Sequence, residues 1–282
     1  MSGWSARVFY PLPARQIRHS VCFASQGNLC TNLGGAVISK VSDQLLAGSS
    51  CWRAGAAPVA VVMISLNEGH NIEAVLQNLN GWAQEVFLVD SYSKDETVDI
   101  ALRHGVHVVQ RRFRGFGDQW NFAMRELPIN APWTMKLDPD ERLNLHLKQS
   151  VLDAMLSGQC DAMSFERRLW FMGRPLPVRQ NVLRVWRTGS CTFSHVAVNE
   201  HPLVEGKTIK VAGEMAHHDS PDLDHWLEKQ NRYTTAEAMI AHQGLPLADR
   251  PALFGSSLQR RMWIKANFNL VPGRYLALFL YY

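Results

Sequence analysis

Apolar residues along the chain alternate between two spacings. Val59 to Ile64 is an unbroken, β-branched-rich run, as expected of a strand buried on both faces of a parallel sheet. Ile72, Val75, Leu76 and Leu79 then recur at the spacing of one helix face, and Gly81 stops that helix. Val86 to Val89 predicts a second strand. Val98, Ala101 and Leu102 predict the inward side of a second helix, closed by Gly105, and Val106 to Val109 a third strand. Asp118 is placed to cap a short helix, Trp133 to Leu137 reads as a fourth strand, and Asn144 caps the helix behind it.

Strands alternating with helices predict an α/β fold, with a mostly parallel sheet flanked by helices and right-handed crossovers. Such sheets bind ligands beyond the carboxyl ends of their strands. Three polar clusters sit at those ends: Ser65 to Glu68, Asp90 to Ser93, and Asp138 to Glu141. The last puts three acids in four residues, Asp138-Pro139-Asp140-Glu141. Such carboxylates repel one another unless they are exposed or share a cation, and Mg2+ or Mn2+ prefers hard oxygen ligands. An acidic turn without metal is the alternative. There is no G-x-G-x-x-G or Walker sequence, so dinucleotide and P-loop sites lack their phosphate cradles.

From Asp161 the pattern changes. Met163 to Phe171 and Val182 to Trp186 predict strands rich in Arg and Trp, including Arg184 and Trp186. Aromatic faces suit sugar rings and guanidinium forks suit phosphate; the plainer reading is core tryptophans and solvated arginines. Glu205 and Glu214 are expected beside a hairpin around Gly206. Met215-Ala-His-His-Asp219 follows a probable strand, and Leu227 to Ala238 predicts a helix.

Residues 1–57 hold scattered Ser, Gly and Arg with Asp43 as the only acid, and show no sustained period. They are expected to be a disordered extension, a transit peptide or the product of an early start codon. At the other end, Arg260, Arg261, Met262, Trp263, Ile264 and Lys265 mix basic and aromatic residues, as in a helix lying on an anionic membrane surface. The chain stops inside the apolar run Tyr275 to Tyr282, which suggests a truncated sequence. The organisation expected is a leader over 1–57, a catalytic domain over 58–245 split near 142, and a helical tail over 246–282.

Composition narrows the classes. At 282 residues the chain holds one large domain or two small ones. A net charge of +4 is too weak to argue for nucleic acid, yet suits anionic substrates or lipid surfaces. Five widely spaced cysteines, Cys22, Cys30, Cys51, Cys160 and Cys191, without C-x-x-C, read as reduced thiols in a cytoplasmic setting. No apolar run reaches the roughly 20 residues of a spanning helix.

Four segments in order resemble the family 2 glycosyltransferases: Ser65-Leu-Asn-Glu68, Val89 to Thr97, Gly115 to Ala123, and Leu137-Asp-Pro-Asp-Glu-Arg142. The nearest likeness is to the subgroup that adds sugars to lipopolysaccharide core or related surface glycans, over about Pro58 to Ala238. The resemblance implies a GT-A fold with a nucleotide-binding half over 58–142 and a mixed acceptor half over 143–245. It implies a nucleoside-diphosphate sugar donor, with UDP-sugar favoured, a divalent cation, Mg2+ or Mn2+, inversion at the anomeric carbon, and a glycan or glycolipid acceptor. Carried over residue by residue, Ser65, Asn67, Glu68, Asp90, Asn121 and Asp138 would line the donor nucleotide, and Asp138, Asp140 and His217 (or His218) would hold the metal. Glu200, in Val198-Asn-Glu-His201, would be the catalytic base, and Arg232 would lie near acceptor or diphosphate; the Arg- and Trp-rich pattern itself points Arg184 and Trp186 to acceptor or diphosphate. The subgroup usually has Lys or Arg where Trp120 stands and His where Asn199 stands. A nucleotidyltransferase of related fold and an inactive sugar- or nucleotide-binding protein are the rival readings.

Overall fold

A computed structural model describes residues 21–22, 52–194, 200–243, 252–255, 259–260, 263, 267 and 273. The nine-stranded sheet has a parallel left half. Its strands run in the order β1 (Val21–Cys22), β4 (His107–Gln110), β3 (Ala83–Asp90), β2 (Ala57–Ser65) and β5 (Trp133–Lys136). From β4 to β5 every neighbour is parallel; β1 is an antiparallel edge on β4. The right half is mixed and continues through β8 (Arg174–Arg187), β7 (Ala162–Phe171), β11 (Thr208–His218) and β6 (Glu141–Leu143). The two halves foreseen from the sequence therefore share one sheet, joined where β8 pairs antiparallel with β5.

Alternation along β2 explains the layers. Val59, Val61 and Met63 face α1 (Gly69–Leu79), α2 (Thr97–Arg103) and α4 (Leu145–Ser157). Ala60 and Val62 face α3 (Phe116–Glu126), which buries Trp120 and Ala123. With both faces covered, Val59 to Met63 are fully buried, which is why this strand reads as a continuous apolar run. α5 (Leu223–Gln243) follows β11.

Several details differ from the expectations. Thr97, Ile100 and Ala101 are the buried residues of α2 and Val98 packs on the core, while Leu102 is 44% exposed. Asp118 lies in the first turn of α3 and pairs with Arg111 at 2.6 Å; Gly115 occupies the cap position. No hairpin forms around Gly206. β10 (Pro202–Val204) pairs with β9 (Cys191–Phe193) in a separate two-stranded sheet, and β11 pairs instead with β7 and β6. The expected cap by Asn144 is present: its side chain accepts from the Leu147 amide at 2.7 Å.

The fold also begins before residue 58. Trp52 packs on the core, Arg53 donates its amide to Asn80 Oδ1 at 3.0 Å, and the Gly55 amide reaches the Ala83 carbonyl at 2.9 Å. Most of the tail, with Arg261, Met262, Ile264 and Lys265, lies outside the described residues. Among the described residues no helix is long and apolar enough to cross a membrane. Cys160 and Cys191 are free and buried.

Candidate active site

β2 and β3 end side by side, and the polar residues after them interlock. Asn67, with φ +57°, donates its amide to Ser93 Oγ at 2.8 Å, and its side chain accepts from the Lys94 amide at 2.8 Å. A left-handed backbone is tolerated by Asn more readily than by most residues. Asp90 is fully buried and accepts from Ser65 Oγ at 2.9 Å, the Ser93 amide at 2.9 Å and Gln110 Nε2 at 3.1 Å, and also from Ser93 Oγ. Its carboxylate is thus a knot tying the ends of three strands. To touch a base or ribose it would have to release one of these donors.

Between β5 and β6 the chain crosses from the middle of the sheet to its far edge, because β6 pairs with β11 and not with β5. The β6–β11 register sets His217 opposite Glu141 and so brings the imidazole to Asp140, one residue earlier. His217 Nε2 lies 3.1 Å from Asp140 Oδ2, and the Asp140 carbonyl accepts from the His218 amide at 2.8 Å. Asp219, just past the strand, completes the group: one ligand atom each from Asp140, His217 and Asp219 lies within 4.8 Å of the others. Lys229 of α5 bridges the two acids, 2.8 Å from Asp219 Oδ1 and 3.5 Å from Asp140 Oδ2.

This donor set fits a hard or borderline divalent cation. Asp140 Oδ1 and His217 Nδ1 are buried without a hydrogen-bond partner among the described residues. A buried unsatisfied polar atom costs about 1–3 kcal/mol, more when charged, so a cation would relieve the carboxylate. Burial alone would raise the Asp140 pKa, but His217 and Lys229 outweigh it and hold the carboxylate ionised. Burial likewise opposes charge on His217, and Asp140 overcomes it, raising the imidazole. His218, desolvated and near Arg142, is lowered, and its ring centroid lies 5.3 Å from that of Trp170. His217 is therefore the histidine facing the acids.

Asp138 is turned elsewhere. Its Oδ2 accepts from Arg184 at 3.1 Å, and the same guanidinium reaches Glu141 Oε1 at 2.5 Å. Glu141 is fully buried, and burial pushes its carboxyl up. Arg184 is 5% exposed. Burial disfavours its charge, yet Glu141 and Asp138 hold it. Arg184 is thus the counter-ion of two site acids and not a surface fork for an acceptor.

At the carboxyl end of β5, Glu200 Oε1 takes a 2.7 Å hydrogen bond from Lys136, whose ammonium lies 4.4 Å from the Trp120 ring centroid and 5.3 Å from that of Phe193. Asn121 holds the other side of this box: its side chain pairs with both the amide and the carbonyl of Phe193, at 2.8 and 2.9 Å.

Residues 60–196 match the family model described as "Glycosyl transferase family 2". They are a family 2 glycosyltransferase domain. An uncharacterized glycosyltransferase of Rickettsia bellii is 31% identical over 117 residues, 41% of this chain and 39% of that protein. The lipopolysaccharide core biosynthesis glycosyltransferase LpsC of Rhizobium meliloti is 26% identical over 194 residues, 64% of this chain and 70% of that protein. Among solved structures, S. aureus TarS 1–349 in complex with UDP-GlcNAc aligns at TM-score 0.43 and 15% identity, covering 59% of this chain and 60% of that one. Glucosyl-3-phosphoglycerate synthase from Mycobacterium tuberculosis, in complex with Mn2+, UDP and glucosyl-3-phosphoglycerate, aligns at TM-score 0.32 and 23% identity, covering 39% and 44%.

Within the glycosyltransferase domain the structure brings Ser65, Asn67, Asp90, Asp138 and Asp140 to one end of the sheet, beside His217. It removes two residues from the surface. Trp186 is fully buried and packs edge-on against Phe193 at 5.8 Å, so it is core and cannot face an acceptor. Asn121 is 6% exposed and committed to the backbone of Phe193, so it is a strut and not a nucleotide ligand. Trp120 is also core. Arg232 lies exposed on α5, and Asn199 is outside the described residues. Sequence reading missed Lys136, Asp219 and Lys229. Asp219 carried a signal, standing two residues past His217; the two lysines carried none, because only register and helix packing bring them in.

Glu68 was foreseen, but not its state. Burial raises its pKa to about 7, reinforced by Asp140 and Asp138, and opposed by the Asn71 amide and Lys229.

Proposed function

We propose that this glycosyltransferase transfers a sugar from a nucleoside-diphosphate sugar, with UDP favoured, to a hydroxyl of a glycan or glycolipid acceptor, inverting the anomeric carbon. The observation that carries the reading is the Asp140–His217–Asp219 group at the carboxyl end of the sheet, in which Asp140 Oδ1 is buried with no hydrogen bond from a described residue. A bound Mg2+ or Mn2+ would there offset the charge of the departing diphosphate. Asp140, His217 and Asp219 would hold that ion, and Lys229 adds a positive charge at the same place.

Glu200 stands against Lys136 at the carboxyl end of β5. Its Oε1 is fixed by Lys136, and Oε2 takes no hydrogen bond from any described residue. In the reading proposed, Oε2 accepts the proton of the acceptor hydroxyl. That oxygen bonds to the anomeric carbon as the bond from carbon to the diphosphate oxygen breaks, and the nucleoside diphosphate leaves with the electron pair. Asn67, with the loop it pins, would border the donor nucleotide. Arg232, exposed on α5, would meet acceptor or diphosphate. An acceptor of the lipopolysaccharide-core kind accords with the likeness to LpsC, and a cytoplasmic location accords with such a donor.

The test is incubation with a panel of UDP-sugars and either Mn2+ or Mg2+, following release of UDP with and without chelator. Chelator-sensitive release with at least one sugar is expected. Release of pyrophosphate from a nucleoside triphosphate, or no turnover with any donor together with no UDP binding, would overturn the reading.

A further inference from the structure

The Lys136–Glu200 pair sits at the carboxyl end of β5. Lys136 is the last residue of β5 and is 7% exposed; the Glu200 side chain is 11% exposed. A lysine ammonium is rarely buried unless paired. Here it has the carboxylate at 2.7 Å and two aromatic faces, Trp120 at 4.4 Å and Phe193 at 5.3 Å, which themselves stack with centroids 5.6 Å apart. The box is braced from behind by the paired hydrogen bonds of Asn121 to Phe193. The two ring faces on Lys136 thus come from α3 and β9. Glu200, by contrast, follows the short strand β9 and a connecting segment, and its single described side-chain anchor is this ammonium.

We infer that Lys136 is a positioning residue for Glu200. Sitting two residues before Asp138 on the same chain, it fixes the carboxylate at a set distance from the donor side of the site. It engages Oε1 and leaves Oε2 to face the acceptor. The aromatic box keeps the ammonium from turning to water, because leaving it would forfeit cation–π contact in a desolvated setting. Asn121, expected from the sequence at the donor nucleotide, braces this box instead, and Trp120 forms one of its faces. The inference rests on Glu200 being the base.

A double-mutant cycle tests it, using the full chain, one active UDP-sugar and its acceptor. Glu200→Gln is expected to lower kcat by about 10²–10⁴-fold, the usual cost of losing a general base. Lys136→Met, which preserves the packing in the box, is expected to lower kcat by about 10–100-fold, as for other outer partners that orient a working group. UDP affinity should not change in either variant. In the Glu200→Gln background Lys136→Met is expected to cost nothing more, since residues acting as a unit are non-additive. Lys136→Arg should recover most of the loss. If Lys136→Met melts below the assay temperature, Lys136→Gln takes its place in the cycle. A Lys136 effect that multiplies onto Glu200→Gln, or kcat unchanged in Lys136→Met, overturns the inference. Full turnover in Glu200→Gln overturns instead the assignment of the base.

Discussion

Asp140 and His217, 77 residues apart in the chain, face each other with His217 Nε2 3.1 Å from Asp140 Oδ2, because β6 and β11 pair as the edge of the sheet. The contact makes Asp219 a member of the same group, and this has a consequence for metal binding. Asp219→Asn should weaken Mn2+-dependent UDP binding by about 10–100-fold, comparably to Asp140→Asn, while Asp138→Asn weakens it less. Isothermal calorimetry with UDP, with and without Mn2+, reads this. Equal losses for Asp138 and Asp140 with none for Asp219 would return the metal to the Asp138–Asp140 pair.

Glu141 and Arg184 form a buried pair inside the site. Removing one partner of such a pair typically costs about 3–5 kcal/mol, since the other charge is left uncompensated. Arg184→Met should therefore lower stability by about that amount, because Asp138 and Glu141 lose their shared cation and only Arg167, 3.5 Å from Glu141, remains on the latter. Urea denaturation is the measurement. A loss below about 1 kcal/mol would be the figure for a surface pair and would mean that the guanidinium is free.

Asn121 separates two roles cleanly. As a strut it satisfies both backbone groups of Phe193, so Asn121→Ala should cost about 1–3 kcal/mol for the groups left unpaired. UDP affinity should be unchanged. Melting temperature and calorimetry on the same sample decide it, and a stable variant with lost UDP binding would make Asn121 a nucleotide ligand.

Glu68 predicts a pH dependence. Its carboxyl is raised to about 7 in the folded protein, so between about 4.5 and 7 the folded state binds more protons than the unfolded one. Stability contributed by this group is full below that window and falls as pH rises through it. Glu68→Gln should remove the decline and leave the variant the more stable protein at pH 8. Denaturation in chelator at pH 5 and pH 8 measures it, and an unchanged difference between the two pH values would show that Glu68 titrates normally.

Much of the left half of the fold was written in the sequence. A strand covered on both faces must be apolar at every position, and Val59 to Met63 is; a helix covered on one face shows period 3.6, and Ile72 to Leu79 does. The polar residues that stop these runs had to fall at strand ends, so the clustering of Ser65, Asp90 and Asp138 was legible before any coordinates. The right half was less so, because antiparallel partners far apart in sequence leave no local mark. Nothing around Gly206 says that β11 skips the nearby β10 for β7 and β6, yet that choice sets His217 against Asp140. Sequence also named residue types without their surroundings. Trp186, Arg184 and Asn121 carry groups that bind sugars, phosphates and bases, and each is instead used inward, as core, counter-ion and strut. Tertiary packing decided this, since a polar or aromatic side chain serves a ligand only where a neighbour has not already taken its partners.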